Sequence, residues 1–340
     1  MEQQIKQKEL WKESNRAGGA VLVYKSVLNV AVVIVIVIAM IMAVVQTDFD
    51  AMFPAGSLNT ENAAEQATTE LTEYLLNKTL TATSWGYILA IGLCAIIFLI
   101  WKKKDFFTQT MMQRNAPMTG KAFALIFAFF MTCQFMAQIS SIGMEALLNQ
   151  FGMSMMGLIK SSTANTSDPV MLAYIGILAP IAEEIIFRGI VLRGMQPHGR
   201  GIAVFTSSIL FGMIHGNPVQ IPFAFATGIV LAYVTLEYDI RWAILLHMIN
   251  NLGLGILLPM MFASAPVAGE LIMWAIIIVS TIGAIATIIR KKTQVKEELS
   301  VLKTEKWQWK AVMTSPTMLI TLITSTFDML LLIVMMVFMS

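Results

Sequence analysis

Long apolar runs recur from one end of the chain to the other, separated by short polar stretches. About 20 consecutive apolar residues give a helix that crosses roughly 30 Å of hydrocarbon. The pattern predicts nine such helices, at 26–46, 85–101, 121–143, 170–192, 201–216, 219–236, 242–258, 267–289 and 316–338. Pro218 is the one clear break between the fifth and sixth. The expected fold class is therefore all-α, a polytopic membrane helix bundle.

Composition and charge sharpen this picture. Of 340 residues 57% are hydrophobic and 13% charged, with a mean hydropathy of +0.72, outside the range of soluble globular chains. With the N-terminus on the cytoplasmic side, the nine spans leave only Lys78 and Lys160 of the 23 basic residues outside. The positive-inside rule thus favours N-terminus in and C-terminus out. The net charge of +2 hides this asymmetry between faces, which argues for membrane orientation and against nucleic acid as a partner. The first 25 residues lack a signal-peptide layout, so the first span reads as a retained anchor. Cys94 and Cys133 both fall in apolar spans and predict neither a disulfide framework nor a metal site.

Three regions follow. Residues 1–119 form a two-helix membrane region with an extracytoplasmic loop at 47–84 that includes a helix-forming stretch near 62–80. Residues 120–290 hold the functional core, and 291–340 comprise a cytoplasmic linker and the last span. The first two spans and the last read as peripheral.

Chemistry concentrates between residues 183 and 251. Glu183, Glu184 and Arg188 lie inside the fourth apolar run, where a charge costs at least about 2.5–3.5 kcal/mol even on the mildest insertion scale. Glu184 and Arg188 are four apart and share a helix face, so they can pair. Glu183 is rotated about 100° away, and an ion pair leaves it unaccounted for. Phe211-x-x-x-His215 ends the fifth helix, and His247-x-x-x-Asn251, with Asn250 adjacent, lies in the seventh. Alone, His215 reads as a capping residue and the seventh-helix pair as ordinary interhelical hydrogen bonding. Together they place two of the chain's three histidines close in sequence to paired carboxylates. The third, His198, sits in a polar loop and reads as solvated. Asp328 is a stray acid in the last span, expected to make a polar contact with another span.

The ordered set E-E-x-x-x-R, F-x-x-x-H, H-x-x-x-N on neighbouring spans resembles the CAAX-protease and bacteriocin-processing family of intramembrane proteases. That family, also called CPBP or Abi, includes the eukaryotic Ras-converting CAAX endopeptidase. The resemblance covers about residues 120–290. It implies that Glu183 is the general base, holding the attacking water together with His215, while His247 and Asn251 face the scissile carbonyl as oxyanion donors. Glu184 and Arg188 would be a supporting pair. Peptide hydrolysis needs both kinds of group, and these residues supply them without a serine or cysteine nucleophile.

A zinc-dependent variant, with Glu183, His215 and His247 as ligands and an open position for water, is the nearest alternative. The H-E-x-x-H helix signature is absent, and the reading without a cofactor is favoured. A geometric mismatch accompanies either version. From the predicted helix ends, Glu183 and His247 lie about 9–14 Å from the cytoplasmic side and His215 roughly 20 Å. Either the 194–203 segment dips into the bilayer or the fifth helix tilts.

The expected partners are membrane lipid and a peptide or protein substrate. The family's bacterial roles would be peptide maturation, bacteriocin processing or immunity. Lysine-rich, methionine-rich usage suits a bacterial cell membrane. A transporter or non-enzymatic immunity protein is the competing class, because intramembrane Glu, Arg and His also serve proton coupling.

Overall fold

A computed structural model of the chain describes residues 1–46, 61–150, 154 and 168–339. Eight helices among the described residues are long and apolar enough to cross a membrane. They are α1 (Glu2–Gln46), α2 (Glu61–Asp105), α3 (Gly120–Asn149), α4 (Pro169–His198), α6 (Gln220–Glu237), α7 (Ile240–Met261), α8 (Pro266–Arg290) and α11 (Pro316–Met339). A shorter apolar helix, α5 (Arg200–Met213), lies between α4 and α6. Two short helices, α9 (Lys292–Ser300) and α10 (Lys306–Met313), occupy the predicted polar linker.

The polytopic helical class is as the apolar pattern predicts. Several boundaries move. The first helix starts at Glu2, well before residue 26, and the second half of the expected 47–84 loop belongs to α2. No proline interrupts 61–105, so nothing in the backbone ends the helix where hydropathy falls. Residues 47–60, with Asp48 and Asp50, lie outside the described residues, as does Lys160. The fifth predicted span is the 14-residue α5, about 21 Å long and short of the roughly 30 Å hydrocarbon layer. It runs back into α6 as a hairpin whose open end is tied by Arg200 Nη2 and Glu237 Oε1, 2.5 Å apart.

Local signals fix the helix ends. Thr119 caps α3 by accepting from the Ala122 N–H. Asp168 caps α4 ahead of Pro169, and Asp239 accepts from the Arg241 N–H at 2.8 Å to start α7. Such caps satisfy donors that the first helical turn leaves unpaired. The α5–α6 turn relies on Gly216, whose φ of +57° is the left-handed region that glycine enters most cheaply.

Packing is continuous rather than partitioned. One buried cluster joins Leu10, Val21 and Tyr24 of α1 and Phe98 of α2 to Phe130 of α3, Phe187 of α4, Leu210 of α5 and Leu246 of α7. In lipid, helices gain little by hiding apolar surface from one another, so close backbone approach carries more of the association. At Gly18 a Cβ would lie 2.5 Å from the Met318 amide nitrogen, so α1 and α11 touch backbone to backbone. The first and last helices, expected at the periphery, are thus packed on the core.

They are also tied by charge. Lys25 Nζ lies 2.6 Å from Asp328 Oδ2 and 3.1 Å from Ser325 Oγ. The sequence pattern counts Lys25 among the basic residues on the cytoplasmic side. It is 7% exposed, because α1 begins so early that residue 25 is deep in the bundle. Its partner is the stray acid of the last span.

α4 and α7 depart from regular α geometry. α4 widens into π turns at Tyr174–Leu178 and Ile185–Leu192, and α7 at Ile249–Leu257. Such turns concentrate at functional sites. Here one begins at the residue after Glu184 and another two residues after His247.

Candidate active site

Three helices bring the sequence-derived residues together at similar depth. Fifteen residues separate Glu183 from the end of α4 at His198, and fifteen separate His215 from the start of α5 at Arg200. Both therefore lie about 22 Å from the same turn. α7 starts higher, since Ile240 packs beside Gly189, and two turns further on His247 reaches Glu184. Measured from the observed helix ends, Glu183 and His215 are equally far along their helices, and the mismatch drawn from the predicted ends does not arise.

The adjacent glutamates have different surroundings. Glu184 is fully buried, as is Arg188, and its Oε2 lies 3.2 Å from Arg188 Nε. This contact lacks hydrogen-bond alignment, and Arg188 Nη1 also has no hydrogen-bond partner. Arg188 is instead held by the Gly228 carbonyl, which accepts from Nη2 at 3.3 Å, and by the Phe211 ring, 4.2 Å from the guanidinium carbon. Glu184 Oε1 in turn lies 2.9 Å from His247 Nδ1. With Nδ1–H donating to that carboxylate, the other ring nitrogen is left facing the site. His247 Nε2 is 3.7 Å from Glu183 Oε2, and Glu183 retains 16% side-chain exposure.

Phe211 organises the imidazoles. Its ring meets His215 and His247 edge to face, at centroid distances of 5.2 and 5.6 Å, and Phe187 packs against it in the same manner at 5.2 Å. His215 Nδ1 lies 2.8 Å from the Phe211 carbonyl. Among the described residues His215 makes no hydrogen bond to Glu183, Glu184 or His247. The two histidines are neighbours across an aromatic ring.

The amides lead away from the carboxylates. Asn251 Nδ2 donates to the Ile175 carbonyl at 3.2 Å, and its Oδ1 accepts from Asn250 Nδ2 at 2.9 Å. Asn250 Oδ1 accepts from Gln134 Nε2 at 3.3 Å. Gln134 and the Ile175 carbonyl were not anticipated. A lone amide in an apolar span was the available signal for Gln134; a backbone carbonyl leaves none.

The remaining polar candidates lie elsewhere. The His198 carbonyl accepts from Gln308 Nε2 at 2.8 Å in the turn that closes α4. Cys94 and Cys133 are free thiols. No three His, Cys, Asp or Glu side chains among the described residues are gathered closely enough to hold an ion.

A helical membrane bundle with an arginine and two histidines around one phenyl ring and two carboxylates beside them defines the class: a polytopic membrane protein with an intramembrane polar site. Residues 165–253 match a family model described as type II CAAX prenyl endopeptidase, Rce1-like. That stretch contains every motif on which the resemblance rests, and it is narrower than the expected 120–290. The match supports intramembrane endopeptidase activity in general terms. No curated protein and no solved structure matches the chain.

Proposed function

We propose that the chain is an endopeptidase that cleaves a membrane-associated peptide or protein with a water activated at Glu183. The observation that carries this reading is the relay Arg188–Glu184–His247–Glu183. Arg188 compensates Glu184, Glu184 orients His247, and the Nε2 side of that buried imidazole faces the second carboxylate, Glu183. At 3.7 Å Glu183 and His247 are too far apart for a good direct hydrogen bond, a spacing that suits a shared water.

This geometry favours His247 as the partner of Glu183 in water activation, in place of the pairing with His215 that the family resemblance implies. The Glu183 carboxylate takes a proton from water as the oxygen attacks the peptide carbon. The same proton then passes to the leaving amine. His215 and the second N–H of Asn251 remain for the carbonyl side, where hydrogen-bond donors stabilise the developing oxyanion. No step requires a metal. The natural setting we infer is a bacterial cell membrane, with peptide maturation, bacteriocin processing or immunity as the physiological role.

The test is cleavage by Glu183→Gln, which keeps shape and removes the base. Comparative mass spectrometry of membrane and secreted peptides should show a product that vanishes in this variant, by about 10²–10⁴-fold, while its thermal unfolding in detergent is unchanged. A persistent product would overturn the assignment. A phenotype that survives both Glu183→Gln and His247→Ala would favour a non-enzymatic immunity protein.

A further inference from the structure

Away from the carboxylates, a cavity of about 600 Å³ lies among the first turns of α3 and α5, the last turns of α6 and α8, and the short helix α9. Its polarity is graded along the helix axes. One end carries Lys121, Arg200 and Lys291, which stand at the starts of α3 and α5 and the end of α8. The other end is closed by Leu125 and Phe129 of α3 and by Ile229 and Val230 of α6. From Lys121 to Phe129 the helix rises about 12 Å.

The charge at the basic end leaves a small surplus. Arg200 is engaged by Glu237, and Glu298 stands on the same rim. Lys121 and Lys291 make no ion pair among the described residues. Three cations against two carboxylates leave one positive charge, which matches one phosphodiester. Arg200 also lines this end of the cavity with a side chain that is 28% exposed. A water-soluble anion would have no use for the apolar end, and a neutral lipid none for the cations.

We propose that this cavity binds an anionic glycerophospholipid, its phosphate among Lys121, Arg200 and Lys291 and an acyl chain running toward Phe129 and Ile229. Basic pockets between membrane helices recognise anionic headgroups by this combination of charge and burial. The site is independent of the hydrolytic reading, although α6 serves both: Gly228, whose carbonyl holds Arg188, immediately precedes Ile229.

The experiment uses the full-length protein in detergent with equimolar phosphatidylglycerol and phosphatidylcholine, and native mass spectrometry reads the retained lipid. Phosphatidylglycerol should be favoured by about 30-fold, on the order expected for two lysines near an anionic surface. The double variant Lys121→Gln/Lys291→Gln should lose that preference, and Ile229→Trp, which fills the apolar end, should lose both lipids. Glu183→Gln should retain phosphatidylglycerol as the unmodified protein does, which separates this site from the proposed chemistry. Equal retention of the two lipids would overturn the proposal, as would an unchanged preference in the double variant. Displacement by an equal concentration of inorganic phosphate would reassign the cavity to soluble anions. Should Ile229→Trp fail to fold, the double variant decides alone.

Discussion

The ion pairs Glu184–Arg188 and Lys25–Asp328 differ in almost every respect. Glu184 and Arg188 belong to one helix, are fully buried, and fall within the family-matched residues. Lys25 and Asp328 join the first helix to the last, outside that match, and the Asp328 side chain is 44% exposed. The first pair has a third partner in His247, so its geometry passes into the site. The second is seated against the Gly216 turn, where a glycine Cβ would come within 3.2 Å of Asp328 Cβ. One pair holds a reactive group in orientation; the other holds helices together beside the residue that follows His215.

The comparison is most sharply broken at Arg188. Arg188→Met strands Glu184 as an uncompensated buried charge, and loss of one partner of a buried pair costs about 3–5 kcal/mol. Thermal unfolding in detergent should show a large loss, partly recovered when Glu184→Gln is added. No recovery would mean that Arg188 acts through packing on Phe211 rather than through charge. A smaller effect is expected at the turn. Gly216→Ala imposes a left-handed conformation that costs an L-residue about 1–2 kcal/mol, and it also crowds Asp328. The fold should survive with reduced stability, and cleavage should fall more than in a variant of equal stability remote from His215. The smallest effect belongs to the second pair. A double-mutant cycle on Lys25→Met and Asp328→Asn should give a coupling of about 0.6–1.7 kcal/mol, the span measured for polar contacts between membrane helices. A coupling near that of Glu184–Arg188 would erase the distinction between the two pairs.

Much of this site was legible in the residues. Four-residue spacing put Glu184 with Arg188, and that pair is the observed contact. The same rule applied to His247 and Asn251 gives a shared face, and both turn to α4, His247 to Glu184 and Asn251 to the Ile175 carbonyl nine residues earlier in that helix. The helix ends were legible only in part. Thr119, Asp168 and Asp239 announce their caps, whereas Glu61–Asp105 continues through polar and apolar stretches alike, since hydropathy reports the solvent of a helix and not its end.

The sequence by itself determined that this chain is a helical membrane protein and which segment carries its chemistry, because apolar length and intramembrane charge are local properties that hydrocarbon either permits or penalises. Only the tertiary structure decided which glutamate is locked and which is open, that His247 rather than His215 stands beside Glu183, and that Lys25 meets Asp328 across some 300 residues of chain. Those outcomes depend on the rotation and relative depth of separate helices. In lipid these are set by close packing and directional polar contacts between elements, which no single stretch of sequence contains.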